Sequence, residues 1–127
     1  MIDQLKMLVA NGDCNAMCEL ARHYKKLNDV ENIVKYYNMA IEKGDTSAMR
    51  ELGQYYFHNI GDYENMRKCY EKLIENGDAM GYCYLSYYHL LQTKDYATME
   101  KYCFFAIDMD QNKDEIYKYA MNNLKYY

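Results

Sequence analysis

Apolar side chains recur along the chain at the three- and four-residue spacing of an amphipathic α-helix. Ala16, Leu20, Tyr24 and Leu27 share one helix face, and the same spacing resumes at Ile33 and continues through the rest of the sequence. The strict alternation that is typical of a half-buried strand is absent. The sequence therefore predicts an all-α protein.

A Gly-Asp pair divides this helical pattern three times, at residues 12–13, 44–45 and 77–78. The glycine suits the left-handed residue that ends one helix, and the aspartate suits the N-cap of the next helix. Other residue types recur in phase with each pair: a leucine (Leu20, Leu52, Leu85), a second aspartate (Asp29, Asp62, Asp95), a tyrosine-containing pair (36–37, 69–70, 102–103) and a pair ending in isoleucine (40–41, 73–74, 106–107). We interpret each repeat as two helices, with the second aspartate capping the second helix.

One helix pair cannot bury its apolar face alone, so neighbouring pairs have to stack in order to form a core. We predict a single domain over residues 1–127. Its units cover residues 12–43, 44–76 and 77–112, with half units at 1–11 and 113–127. The predicted architecture is a right-handed α-solenoid of about three helix-turn-helix repeats with a half repeat at each end.

Residues 48–56 carry a Leu52-Gly53 pair followed by the aromatics Tyr55 and Tyr56, and they resemble the first helix of Sel1-like repeats, which are related to tetratricopeptide repeats. Residues 62–77 resemble the second helix of that family with its short closing turn. The resemblance covers nearly the whole chain, although units one and three have Leu-Ala and Leu-Ser in place of Leu-Gly. It implies a scaffold or adaptor that presents a concave face to other proteins.

The composition supports a folded protein, because half of the 127 residues are apolar and the net charge is only −4. No apolar run is long enough to cross a bilayer and no signal peptide is recognised, so we expect a cytoplasmic protein without a membrane partner. Five scattered cysteines fit free thiols in a reducing compartment. The absence of Pro and Trp beside 17 Tyr is typical of an AT-rich genome, such as that of a large DNA virus.

Candidate catalytic or metal-binding residues are few. Cys14, Cys18 and His23 are candidate metal ligands. A structural zinc site needs four ligands, however, and the sequence has no second cluster of Cys or His to complete one. His58 and His89, like His23, fall near the ends of first helices, where an imidazolium suits the helix dipole. We therefore expect no enzyme activity, no cofactor and no metal.

The resemblance implies that the first helices line a groove. The implied partner-binding residues are Arg22, Lys25, Lys26, Arg50, Gln54, Phe57, His58, Tyr87, Leu90 and Leu91. The N-terminal part of this groove is basic, with no carboxylate in the set, and its C-terminal part is apolar. Such a groove would suit a peptide with acidic residues and an apolar anchor. In an equally open interpretation, the two lysines form a solvated helix end and the two leucines pack under the closing helix.

The closing helix has apolar or aromatic side chains on every side, and an exposed apolar end usually marks an interface. We therefore predict self-association through Tyr119, Leu124, Tyr126 and Tyr127. The expected function is a protein–protein interaction scaffold that binds a peptide or protein partner. The alternative is a nucleic-acid-binding α-solenoid that uses the basic groove and the tyrosines.

Overall fold

The computed structural model describes residues 1–109 and 114–125, and this part of the chain is helical and contains no strand. Its α-helices are α1 (Ile2–Ala10), α2 (Cys14–Lys26), α3 (Val30–Glu42), α4 (Thr46–Tyr55), α5 (Tyr63–Glu75), α6 (Met80–Tyr88), α7 (Tyr96–Met109) and α8 (Asp114–Lys125). Two short π-helical segments, Tyr56–Ile60 and His89–Thr93, follow α4 and α6. The predicted all-α class is confirmed, and no helix in the described ranges is long and apolar enough to cross a membrane.

The glycines of all three Gly-Asp pairs, and the aspartates of the first two, act as the sequence predicts. Gly12, Gly44 and Gly77 have φ angles of 86°, 84° and 82°, which is the left-handed region. Asp13 and Asp45 each accept a hydrogen bond at 3.1 Å from the backbone N–H three residues later. The second aspartates do the same for α3, α5 and α7. Asp78 differs, because its carboxylate accepts from the N–H of Met80 and α6 begins only at that residue.

The π-helical segments accommodate an inserted residue. Units two and three have one residue more than unit one between the glycine and the second aspartate. In unit one the helix stays α-helical to Lys26, and Asn28 takes the left-handed conformation with a φ of 56°. In the other two units the helix widens into the π form and ends at Gly61 or Lys94, with φ angles of 75° and 54°. A single insertion in a helix is commonly absorbed in this way.

Each helix packs mainly against the next helix in the chain, and α6 also contacts α8. The buried apolar side chains form two clusters. The larger one joins α1 to α5, with Leu85 of α6, and includes Leu20, Ile33 and Tyr70, whereas the smaller one joins α6, α7 and α8 around Cys83. This packing between neighbours is what stacked helix pairs require. The right-handed solenoid stays a prediction.

Candidate partner-binding cleft

A cleft with a volume of about 430 Å³ opens where the second π-helical segment, the start of α7 and the end of α8 meet. It is lined by Tyr87, Leu90, Leu91, Tyr96 and Asn122. Three of these, Tyr87, Leu90 and Leu91, belong to the partner-binding set predicted from the sequence. The cleft is thus built largely from apolar side chains with a few polar groups, as ligand-binding clefts usually are.

The side chains of the cleft differ in how much water they meet. Leu91 is 45% exposed and Tyr96 is 39% exposed, so they form its open rim. Leu90 is only 7% exposed and belongs to the C-terminal core cluster. Leu90 therefore forms the floor of the cleft beneath this rim, and its predicted role in partner binding stays a prediction.

An aromatic cluster extends from Tyr87 back into unit two. The ring centroid of Phe57 lies 6.1 Å from that of Tyr87 and 6.3 Å from that of Tyr88. Tyr63 at the start of α5 contacts both Phe57 and Tyr88, with centroids 5.8 Å and 5.2 Å away. The exposed ring of His58 packs edge-on against Phe57 at 4.6 Å. Phe57 belongs to the first π-helical segment, so the inserted residue helps to set its position.

The predicted basic half of the groove contains carboxylates that sequence reasoning missed. Arg22 donates two hydrogen bonds to Glu51, at 2.7 Å from Nε and 2.6 Å from Nη2. Tyr37 donates a third to the same carboxylate at 3.0 Å. Burial raises the pKa of Glu51, but these hydrogen bonds outweigh it and the net pKa is lowered. Burial and the negative charge of Glu51 both raise the pKa of Tyr37.

Arg50 is also paired, through Nη2 to the carboxylate of Asp78 at 2.9 Å. Each ion pair joins consecutive units: Glu51 belongs to the first helix of the unit after that of Arg22, and Asp78 to the turn before the first helix of the unit after that of Arg50. The two arginines of the predicted basic half are therefore each paired with a carboxylate of the next unit. The repeat pattern predicts where each arginine lies within its own unit. It does not predict which side chain of the next unit lies beside that arginine.

The remaining cations and the amide of the predicted set lie at the ends of the first helices. The ammonium group of Lys25 lies 6.0 Å from the centroid of Tyr55, Lys26 is exposed, and Gln54 is half-buried. None of the three lines the cleft around Leu91. The structure thus brings the apolar members of the set together and leaves the basic members elsewhere.

The closing helix α8 packs through side chains that the sequence assigned to self-association. Tyr119 meets Tyr84 edge-to-face with centroids 5.9 Å apart, and burial raises its pKa to about 12. Leu124 packs against the C-terminal core cluster. Both side chains thus make contacts within the chain and are partly buried, whereas Tyr117 and Met121 of α8 are exposed, and self-association through Tyr119 and Leu124 stays a prediction. Tyr126 and Tyr127 lie outside the described residues.

The thiols and imidazoles form no arrangement with evident chemistry. Burial raises the pKa of Cys18 to about 12, and Cys14 is half-buried. In residues 1–109 and 114–125 no group of three or more His, Cys, Asp or Glu side chains could hold a metal ion. The Nδ1 atom of His89 lies 2.9 Å from the hydroxyl of Thr93, and burial lowers its pKa although Asp95 opposes the shift.

These features define the class of protein as an all-helical chain with a repeat-like series of helix pairs and a cleft at its C-terminal end. Comparison with family models, with curated proteins and with solved structures finds no match. The resemblance to Sel1-like repeats accordingly stays a prediction from the sequence.

Proposed function

We propose that the protein is an interaction module of the helical-repeat type that binds a segment of a partner protein in the cleft around Leu91. The observation that carries this proposal is the rim formed by Leu91 and Tyr96, two large apolar side chains exposed beside a cleft of about 430 Å³. Exposed apolar patches beside a concave surface are typical of binding sites.

The chemistry of the cleft favours an apolar anchor on the partner. Tyr87, Leu90 and Leu91 supply apolar walls, whereas Asn122 offers an amide that can donate and accept hydrogen bonds. A buried apolar or aromatic anchor carries most of the affinity in such interfaces. The acidic character first expected of the partner loses its basis, because Arg22 and Arg50 are each occupied by a carboxylate of the protein itself.

The same ion pairs weaken the nucleic-acid alternative, which depended on a basic groove. Binding to single-stranded RNA that falls steeply with added salt would revive it, because neutralising phosphates releases counterions. Binding that is insensitive to salt, or absent, would leave the interaction module as the better proposal.

The cleft is tested by selecting a random peptide library on the immobilised protein and measuring the affinity of the selected peptides. Leu91→Asp is expected to weaken their binding about tenfold or more, because a charge replaces an apolar rim contact. Leu27→Asp is the matched control, since Leu27 is also exposed but does not line the cleft. Equal effects of the two variants, with circular dichroism showing both folded, would contradict the proposal.

A further inference from the structure

Two further grooves lie between the second helices of successive units. The α3–α5 groove has a volume of about 300 Å³ and is lined in part by Asn38, Ile41, Cys69 and Lys72. The α5–α7 groove, of about 330 Å³, is lined in part by Glu71, Ile74, Tyr102 and Phe105. Counted from the second aspartate of each unit, these four residues occupy the same repeat positions as the first four. The two grooves are therefore one feature that the repeat produces twice.

The residue differences between the two grooves make the α5–α7 groove less basic and more aromatic. Where the first groove has Cys69 and Lys72, the second has Tyr102 and Phe105. An asparagine is also replaced by a carboxylate, since Asn38 corresponds to Glu71. The α5–α7 groove thus lacks Lys68 and Lys72, which line the α3–α5 groove, and has the rings of Tyr102 and Phe105, whereas Glu71 and Glu75 line both grooves.

Three rings pack together at the α5–α7 groove. The ring centroids of Tyr82 and Tyr102 are 5.7 Å apart, and Phe105 lies 5.5 Å from Tyr82 and 6.3 Å from Tyr102. Phe105 is 39% exposed, so part of its surface faces solvent. The ammonium group of Lys101 lies 5.5 Å from the centroid of Phe105, a distance at which an aromatic face attracts a cation.

Two carboxylates of α5 border the same groove. Glu71 meets Arg67 at 3.6 Å, but both side chains are more than half exposed, and such a pair is weak. In the described parts of the chain no basic side chain lies within 4 Å of the carboxylate of Glu75. Both carboxylates are therefore available to a cation brought by a partner.

We propose that the α5–α7 groove binds a lysine or arginine side chain in a basic segment of a partner protein. The alkyl part of that side chain packs on Ile74 and Phe105, and its charged head lies near Glu71 and Glu75. Aromatic faces and carboxylates both favour a cation, and the long stem of the side chain covers apolar surface. This surface is separate from the cleft around Leu91, so the proposal does not depend on the function proposed above.

The probe is N-acetyl-leucyl-arginine amide, titrated into the ¹⁵N-labelled protein and followed by the chemical shifts of backbone amides. The control ligand is the citrulline analogue, which has nearly the same shape without the charge. Saturable shifts are expected at Tyr82, Tyr102 and Phe105, with the citrulline ligand bound at least about threefold more weakly. Equal affinity for both ligands, shifts confined to the cleft around Leu91, or no saturable shift would each overturn the proposal.

Variants taken from the repeat itself sharpen this test. Phe105→Lys restores the residue type of the α3–α5 groove and should abolish binding of the arginine ligand. Phe104→Lys is the matched control, because Phe104 is 50% exposed on the same helix but does not line the groove. Glu75→Gln should bring the affinities for arginine and citrulline closer together. Loss of binding in both Phe variants, with both folded, would show a nonspecific charge effect and overturn the proposal.

Discussion

The ring of Tyr70 packs directly against Gly53, so closely that a Cβ atom on residue 53 would lie 2.5 Å from Cε1 of the tyrosine. Both residues are buried, and the same ring also contacts Tyr84 with centroids 4.9 Å apart. Tyr70 is therefore held between a glycine of its own unit and a tyrosine of the next. The Leu52-Gly53 pair of the sequence thus has a packing role, because only glycine leaves room for the ring.

Replacing this glycine should disturb the contact. Gly53→Ala is expected to lower the free energy of unfolding by about 1–2 kcal/mol, because overpacking costs more than the gain in helix propensity returns. The measurement is urea denaturation followed by circular dichroism. Ser47→Ala, at an exposed position of the same helix, should stay within about 0.5 kcal/mol of the wild type. An alanine at 53 that leaves stability unchanged would contradict the packing role.

The lowered pKa of Glu51 predicts how the free energy of unfolding changes with pH. Because its pKa is lowered in the folded protein, its contribution is complete above the unfolded pKa of about 4.3 and is lost as the pH falls through the folded pKa. Glu51→Gln should cost about 1 kcal/mol near neutral pH, a value reduced because Arg22 is half exposed. The difference in unfolding free energy between the two proteins should shrink in acid.

The control for this prediction is Glu19→Gln. Glu19 holds the same repeat position in unit one as Glu51 does in unit two, and it is exposed. Within the described ranges no basic side chain lies within 4 Å of its carboxylate. The free energy of unfolding of Glu19→Gln should therefore differ from that of the wild type by the same amount at every pH. If the difference in unfolding free energy between Glu51→Gln and the wild type is also the same at every pH, the hydrogen bonds to Glu51 do not contribute to stability.

The helix ends could be predicted from the sequence because their causes are local. Asp13 caps a helix through an N–H group only three residues away, and the preceding Gly12 needs its left-handed φ whatever surrounds it. The pairing of Arg22 with Glu51 depends instead on how one unit sits on the next. Spacing along the chain places Arg22 on a helix face but does not specify which side chain of another helix meets it.

The candidate cleft was only half predictable for a similar reason. Tyr87 and Leu91 follow from the repeat, but Tyr96 begins the next helix and Asn122 comes from the closing helix, so only the fold brings them together. The π-helical segment before Tyr96 also departs from the ordinary helical period. In α8, apolar residues on all sides of the helix do not indicate which face is buried, and the structure shows Tyr117 exposed and Tyr119 partly buried.

Backbone strain at the end of the second π-helical segment gives a further prediction. Lys94 has a φ of 54°, whereas the equivalent residue of unit two is Gly61. Lys94→Gly should raise the free energy of unfolding by about 0.5–1 kcal/mol, because glycine adopts this conformation without a steric cost. Lys43→Gly is the control, since Lys43 ends a helix with a φ of −92° and should gain nothing. If urea denaturation gives the same change in unfolding free energy for Lys94→Gly and Lys43→Gly, the backbone at Lys94 is not strained.

The five cysteines should differ sharply in reactivity, because alkylation requires an accessible thiolate. Cys14 is half-buried, whereas Cys18, Cys69, Cys83 and Cys103 are buried, and burial raises the pKa of Cys69 to about 11. Brief treatment with iodoacetamide at mildly alkaline pH should therefore label Cys14 alone in the folded protein and all five cysteines in denaturant. Peptide mapping by mass spectrometry locates the label, and Cys14→Ser should remove it from the folded protein. Labelling of Cys18 as fast as Cys14 would mean that the N-terminal unit opens readily, because a thiol buried between packed helices reacts only when they separate.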